Sequence, residues 1–135
     1  MAAIELQKLV HFTIPVTDLD HAEAFYTGLL GLTKVRRSPH MCFLRCGNDL
    51  FVLTHSEKPI DPNPPNRHEI HTAFLVRGSA FDRALKTLAE HGVRVFLEED
   101  RARGTFQGRS AYFHDPDGNV LELIDLTNDP LADGE

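Results

Sequence analysis

Two stretches of the chain, sixty residues apart, show the same alternation of side chains. They run from Leu9 to Val16 and from Glu69 to Val76, and each carries a histidine, His11 or His71, five positions before its last valine. Successive side chains of a strand point to opposite faces, so we expect each histidine to point away from the face that its following helix covers. The repeat indicates two copies of one supersecondary unit.

A segment with helical spacing of apolar residues follows each predicted strand. Its apolar positions are Ala22, Phe25, Tyr26 and Leu29 in the first copy and Phe81, Ala84, Leu85 and Leu88 in the second. We expect Asp20 and Ser79 to cap these helices, because each precedes an acidic residue by three positions. Gly31 and Gly92 are expected to end them, because glycine readily adopts the left-handed conformation.

Three short strand-like runs follow each helix. We expect them at about Thr33–Arg37, Met41–Cys46 and Leu50–Thr54 in the first half and at about Val93–Glu98, Arg109–His114 and Asn119–Leu126 in the second. Turns are predicted at Asn48-Asp49 and at Asp117-Gly118. Four prolines between residues 56 and 67 exclude a central strand and predict a stiff linker.

These elements predict an α+β fold made of two βαβββ modules, which form a curled mixed sheet around a cavity. Residues 1–135 are expected to form a single domain, with module one at about 7–55, the proline-rich linker at about 56–67 and module two at about 68–127.

Composition limits the function classes. Hydrophobic residues make up 41% and charged residues 25% of the chain, which is typical of a globular protein. No apolar run approaches the roughly 20 residues of a spanning helix, and the first residues do not resemble a secretion signal, so we expect a cytoplasmic protein with no membrane partner. The formal charge of −6 argues against nucleic acid as a partner. Cys42 and Cys46 have neither zinc-knuckle nor disulfide spacing and are expected to be reduced thiols.

Glu122 is an acidic residue between apolar neighbours on the last predicted strand. An unpaired carboxylate there would cost several kcal/mol, so it needs a partner. His11 and His71 hold equivalent positions on the opening strands of the two halves. Two imidazoles and a carboxylate form a facial triad with open coordination positions, or a zinc site with bound water. We therefore predict one divalent metal ion (Fe, Mn, Zn, Ni or Co) held by His11, His71 and Glu122.

Two segments at the ends of the chain carry a family resemblance. The first runs from His11 to Leu32 and includes Asp18-Leu-Asp20 and Phe25-Tyr26; the second runs from Gly108 to Glu122. Together they resemble the vicinal-oxygen-chelate superfamily of glyoxalases, extradiol dioxygenases and bleomycin-resistance proteins. The resemblance implies metal ligands on the first strand of each module and on the last strand of the second, which are His11, His71 and Glu122 here. It also implies a homodimer, in which the two halves are often paired across subunits.

The implied function is that of a metal-dependent enzyme of glyoxalase or dioxygenase type, which polarises a small-molecule substrate with vicinal oxygens. Tyr112, Ser110 and Thr13 are the predicted catalytic residues, with Tyr112 or Ser110 as hydrogen-bond donors. His68 lies three residues from His71 and is expected on the opposite side of the strand. His114 shares its strand face with Tyr112 and Ser110 and is a candidate for the cavity mouth.

Departures from the family patterns leave the reaction open. Glyoxalase I relatives supply a second glutamate from the last strand of the first module, where this chain has Val52 or a neighbour and no carboxylate. Ring-cleaving dioxygenases have an acid–base histidine where Phe106 stands, and phenylalanine transfers no proton. His114 or His40 could substitute for that histidine.

Two further alternatives come from different branches of the superfamily. In fosfomycin-resistance enzymes, Thr13, Ser110 and Tyr112 match polar positions around the phosphonate. The positions near Ala102 and Leu131 are neutral where those enzymes carry cations, although Arg103 or Arg109 could bind an oxyanion bidentately. The other alternative is a metal-free protein that binds bleomycin-type drugs.

Overall fold

The computed structural model describes residues 3–132, and it divides the chain between Ile60 and Asp61 into two compact units. The division lies inside the predicted proline-rich linker. Each unit contains one four-stranded mixed sheet, so the described residues form two sheets where one curled sheet was predicted. No helix within residues 3–132 is both long and apolar enough to cross a membrane.

The first unit has the predicted βαβββ order. Its elements are β1 (His11–Val16), α1 (Leu19–Glu23), a π-helical turn (Ala24–Leu29), β2 (Thr33–Arg37), β3 (Met41–Cys46) and β4 (Asp49–His55). The strand order is β1-β4-β3-β2; β1 runs parallel to β4 and the other neighbours are antiparallel. The buried apolar side chains include Val16, Leu19, Ala22, Tyr26, Leu44, Phe51 and Leu53.

The second unit repeats this plan. Its elements are β5 (Thr72–Leu75), α2 (Gly78–Glu90), β6 (Leu97–Arg101), β7 (Gly108–His114) and β8 (Val120–Ile124). The strand order is β5-β8-β7-β6, with β5 parallel to β8. The buried apolar side chains include Phe81 and Leu88 of α2 and Ala111, Phe113 and Leu121 of the sheet.

The predicted helix caps are wrong, although the helices themselves are confirmed. Asp18 caps α1 by accepting a hydrogen bond from the His21 amide at 3.0 Å, because Asp18 has the extended backbone that a cap requires and Asp20 is already inside the helix. Ser79 is the second residue of α2, whose preceding residue makes no side-chain cap. Gly31 and Gly92 both have positive φ, as predicted for the residues that follow the helices.

Two strands of the second unit begin later than predicted, for identifiable reasons. Ile70 is excluded from β5 because its amide donates to Asn63 Oδ1 at 2.9 Å and its carbonyl accepts from Asn63 Nδ2 at 2.8 Å. Val93 is excluded from β6 because its amide donates to the Leu88 carbonyl at the end of α2. The last strand, β8, is shorter than the predicted Asn119–Leu126.

The turn between β3 and β4 also differs from the prediction. It is formed by Gly47 and Asn48 rather than by Asn48-Asp49, because Gly47 takes the positive φ of 58° and Asp49 already pairs with Cys46. The start of β7 requires glycine as well. At Gly108 the φ is 125°, and a Cβ atom would lie 2.6 Å from the Asp125 carbonyl oxygen.

Candidate functional site

The central strands of the second unit bring three polar side chains to one face of the sheet. Glu122 of β8 lies directly opposite Ala73 of β5 and Tyr112 of β7, and Ser110 lies two residues before Tyr112. Directly opposite residues share a face, as do alternate residues of one strand. The face therefore carries Glu122, Tyr112 and Ser110 together.

Glu122 is buried, with 4% of its surface exposed, and both of its oxygens are engaged. Its Oε1 lies 3.0 Å from His71 Nε2, and its Oε2 accepts a hydrogen bond of 2.5 Å from the Ser110 hydroxyl. The expectation that this carboxylate needs a partner is confirmed.

The hydrogen bonds of His71 determine what its second nitrogen can do. Nδ1 lies 2.6 Å from the His68 carbonyl oxygen, which can only accept, so Nδ1 carries a hydrogen. In the neutral ring, Nε2 then directs its lone pair at the Glu122 carboxylate, an arrangement that needs a proton or a cation between the two groups. Metal-binding histidines commonly donate their other N–H to a backbone carbonyl. The His71–Glu122 pair therefore fits a divalent metal.

Arg101 orients the neighbouring hydroxyl groups. Its guanidinium donates to Ser110 Oγ at 3.0 Å and to the Tyr112 hydroxyl at 3.0 Å, and it also pairs with Glu99. Because arginine only donates, the single Ser110 hydrogen is directed at Glu122, and the Tyr112 hydrogen stays available as a donor. Burial raises the pKa of Tyr112 and the Glu122 charge adds to this, while Arg101 opposes it, so the phenol stays protonated near neutral pH.

The prediction that His68 faces away from the site is wrong. Its ring packs against Tyr112, with centroids 4.4 Å apart and planes inclined by 35°, and its centroid lies 6.0 Å from that of the His71 ring. The prediction assumed an extended strand, whereas the hydrogen bonds between Asn63 and Ile70 hold this segment outside the sheet. His68 Nδ1 is buried and has no hydrogen-bond partner within residues 3–132.

A cavity of about 500 Å³ opens beside these groups in the second unit. It is lined by His71, Ala73, Leu75, Arg101, Arg103, Gly104, Thr105, Phe106, Tyr112, Glu122, Ile124 and Leu126. Of the two arginines considered for oxyanion binding, only Arg103 belongs to this lining. Arg109 donates to Asp82 at 2.8 Å and lies 4.4 Å over the Phe81 ring. His114 stacks on Phe96 at 4.7 Å and does not line the cavity.

In the first unit, His11 and Thr13 lie on the same face of β1. Thr13 Oγ1 is 3.0 Å from His11 Nδ1, so the hydroxyl orients the ring and leaves Nε2 available. Val52 lies opposite Thr13 and Phe43 and is 1% exposed. No carboxylate occupies the position at which a second glutamate was considered.

The second unit brings together two of the three predicted metal ligands, His71 and Glu122. No group of three or more His, Cys, Asp or Glu side chains within residues 3–132 converges on a common metal position. The roles of His11, His71 and Glu122 as ligands, and of Thr13, Ser110 and Tyr112 in catalysis, stay predictions.

Sequence reasoning missed Asn63 and Arg101, although both shape the site. Arg101 falls two residues beyond Glu99 on the same face of β6, and it was overlooked because the strand was expected to end at Glu98. Asn63 lies in the proline-rich segment, where its hydrogen bonds to Ile70 leave no periodic signal in the sequence.

The family model of the Glyoxalase/Bleomycin resistance protein/Dioxygenase superfamily matches residues 8–123, and the chain belongs to this superfamily. Among curated proteins, it is 35% identical over 119 residues to the glutathione transferase FosA of Serratia marcescens, covering 87% of this chain and 80% of that one. It is 32% identical to the uncharacterized protein YaeR of Escherichia coli, covering 89% of this chain and 97% of that one.

Solved structures confirm the glyoxalase-like fold. The fosfomycin resistance protein FosX of Listeria monocytogenes, complexed with Mn(II) and sulfate, has a TM-score of 0.78 at 24% identity, covering 93% of this chain and 95% of that one. FosX of Mesorhizobium loti has a TM-score of 0.69 at 26% identity, with 88% and 92% covered.

Proposed function

We propose that this protein is a metal-dependent enzyme of the fosfomycin-resistance type, which acts on a small substrate with neighbouring oxygens. The observation that carries the proposal is the His71–Glu122 pair, a buried carboxylate that faces an imidazole whose other nitrogen is held by a backbone carbonyl. With His11 as the third ligand, these residues would hold one divalent metal. Manganese is the first choice, because it is present in the FosX complex.

When bound, the metal supplies a Lewis acid that draws charge from a substrate oxygen. The protein's own residues have separate tasks around it. Ser110 fixes the second oxygen of Glu122, and Thr13 fixes the ring of His11. Tyr112 donates a hydrogen bond to the substrate oxygen, since Arg101 occupies a lone pair of its hydroxyl and leaves its hydrogen available.

The choice of reaction rests on the relatives and on two positions of this chain. FosA is named as a glutathione transferase and FosB as a metallothiol transferase, which favours transfer of a thiol to the substrate. Phe106 lines the cavity where an acid–base histidine would be needed for ring cleavage, and Val52 stands where a glyoxalase would need its second carboxylate. Both substitutions disfavour the alternative reactions.

Manganese-loaded protein incubated with fosfomycin and a thiol tests the proposal. Phosphorus NMR should show loss of fosfomycin with glutathione, another thiol or water as co-substrate, and no consumption of catechol or of the methylglyoxal–glutathione adduct. Tyr112→Phe should lower kcat by roughly 100-fold, as loss of one donor to a developing negative charge does. Binding of a bleomycin-type drug without any metal affinity would contradict the proposal and favour the metal-free alternative.

We also propose a homodimer that works in the cytoplasm. Val10 and Phe12, on or beside the edge strand β1, are 70% and 54% exposed, which supports contact with a second copy. Sedimentation should give about twice the 15.2 kDa mass of the chain. Cys42 and Cys46 are free thiols, which favours a reducing compartment.

A further inference from the structure

The cavity of the second unit offers a substrate both polar and apolar surface. Its volume is about 500 Å³, and it is partly open to solvent. Five of its lining residues are apolar. A substrate that covered this apolar part would carry a chain of several carbons.

The walls of the cavity separate into a polar and an apolar part. His71, Glu122, Tyr112 and Arg101 form the polar part, and they contact one another. The apolar part consists of Ala73, Leu75, Phe106, Ile124 and Leu126. Leu75 and Phe106 are 71% and 54% exposed, so apolar surface remains that a substrate can cover.

Arg103 adds a positive charge to the cavity wall. Within residues 3–132 it forms no ion pair or hydrogen bond, whereas Arg101 pairs with Glu99 and Arg109 pairs with Asp82. An unpaired guanidinium on a cavity wall is suited to a carboxylate or phosphonate, which it binds through two parallel hydrogen bonds.

The loop that carries Arg103 and Phe106 is held in place before any ligand binds. Asn128 accepts from the Gln107 amide at 2.9 Å and donates to the Thr105 carbonyl at 2.9 Å. A loop fixed in this way loses little conformational freedom when a ligand arrives, so its contacts contribute more fully to affinity.

We propose that the substrate is an amphipathic oxyanion whose anionic group contacts Arg103 and whose apolar chain of several carbons lies on Leu75, Phe106 and Leu126. The inference rests on the proposed function, since it assigns the substrate class of the same cavity. It differs in the size of the apolar part, which exceeds that of fosfomycin.

Calorimetric titration of the manganese-loaded protein with methyl-, butyl- and octylphosphonate tests the chain-length requirement. Affinity should rise roughly two- to fourfold for each methylene that the apolar wall covers. Phe106→Ala should reduce the ratio of octyl- to methylphosphonate affinity, because it removes apolar surface that only the longer chain covers. Equal affinities for all three phosphonates would overturn the inference.

Arg103→Gln and Arg109→Gln form a matched pair for the anionic group. Arg103→Gln should weaken all three phosphonates by a similar factor of roughly tenfold, and Arg109→Gln, which changes an arginine outside the cavity lining, should weaken none. Equal effects of the two changes would contradict the role of Arg103.

Metal content, measured on the same samples, separates this inference from the proposed function. Bound manganese with no dependence on chain length would contradict the inference alone. Chain-length dependence in protein that binds no metal would contradict the proposed function alone.

Discussion

The two units share one topology and register but differ in the chemistry of equivalent positions. In the first unit β1 pairs with β4 and β4 with β3; in the second β5 pairs with β8 and β8 with β7. Matching the registers gives the equivalent pairs Val52 and Glu122, Phe43 and Tyr112, Met41 and Ser110, and Cys42 and Ala111. His71 was predicted on the strand but lies directly before β5, at the position that corresponds to His11 at the start of β1. The fold therefore tolerates either an apolar or a polar set at these positions.

The difference shows that the chemistry of the site depends on local partners, which the shared fold does not supply. Glu122 is buried together with Ser110 and His71, whereas Val52 is buried between Thr13 and Phe43. The groups that contact Nδ1 of His11 and of His71 differ as well. A side chain, Thr13, contacts His11 Nδ1, while a backbone carbonyl contacts His71 Nδ1.

Removal of the carboxylate from the second unit should have the largest effect. Glu122→Ala leaves His71 without its partner, so metal affinity should fall by more than roughly 100-fold, the upper range for loss of an outer-sphere partner. Fosfomycin consumption should fall with it. Metal titration by calorimetry measures the change, with Glu98→Gln as control, because Glu98 lies on the same sheet and is exposed. Unchanged metal affinity in Glu122→Ala would remove this residue from the proposed ligands.

Addition of a carboxylate to the equivalent position of the first unit is the converse experiment. Val52→Glu would bury a charge that lacks the partners of Glu122, so the free energy of unfolding should fall by roughly 3 to 5 kcal/mol. Urea denaturation measures it, and Val52→Leu controls for the change in volume. If Val52→Glu and Val52→Leu lowered the free energy of unfolding equally, the first unit would have to supply polar partners for the new carboxylate, which contradicts the expected result.

The contrast between Val52 and Glu122 also shows which features the sequence predicts well. The bounds of β2 and β3 agree with the prediction, and in β3 buried and less buried residues alternate over the first four positions. The strand register places Glu122 opposite Tyr112, with Ser110 two residues away on the same face. The position of His68 could not be predicted in this way. The hydrogen bonds between Asn63 and Ile70 that hold its segment outside the sheet leave no periodic signal in the sequence.

High pH should destabilise the first unit through Cys42, which stands where the second unit has Ala111. Burial and the nearby Glu23 raise the pKa of the Cys42 thiol to about 11. A raised pKa means that the folded state holds the proton more tightly, so this contribution to stability is present below about pH 9 and is lost as pH rises through 11.

The expected loss is roughly 2 to 3 kcal/mol between pH 9 and 11, about two pKa units. Urea denaturation across this range should show it, and Cys42→Ala should lack that part of the dependence. If the free energy of unfolding fell equally with pH in the original protein and in Cys42→Ala, the pKa of the Cys42 thiol would not be raised in the folded state.

Thr13→Val tests whether the Thr13 hydroxyl orients the ring of His11. The change removes the hydroxyl that contacts His11 Nδ1 at 3.0 Å and keeps the shape of the residue. If His11 is the third ligand, metal affinity should fall by roughly 10- to 100-fold, as for other partners that orient ligating histidines. Calorimetry with manganese measures the effect. No change would indicate that His11 binds no metal or needs no orienting group.

His68→Ala should have the smallest effect on metal binding, since a backbone carbonyl, retained in the variant, holds His71. Affinity for manganese should stay within roughly threefold of the original, well below the loss that follows removal of an orienting side chain. The variant does lose the tilted contact between the His68 and Tyr112 rings, whose centroids are 4.4 Å apart, and such ring contacts contribute about 0.5 to 1.5 kcal/mol. Thermal unfolding should therefore register the change while the metal titration does not. A fall in affinity as large as that of Thr13→Val would show that the imidazole of His68 itself supports metal binding. His71 would then depend on a neighbouring side chain, as His11 is proposed to depend on Thr13.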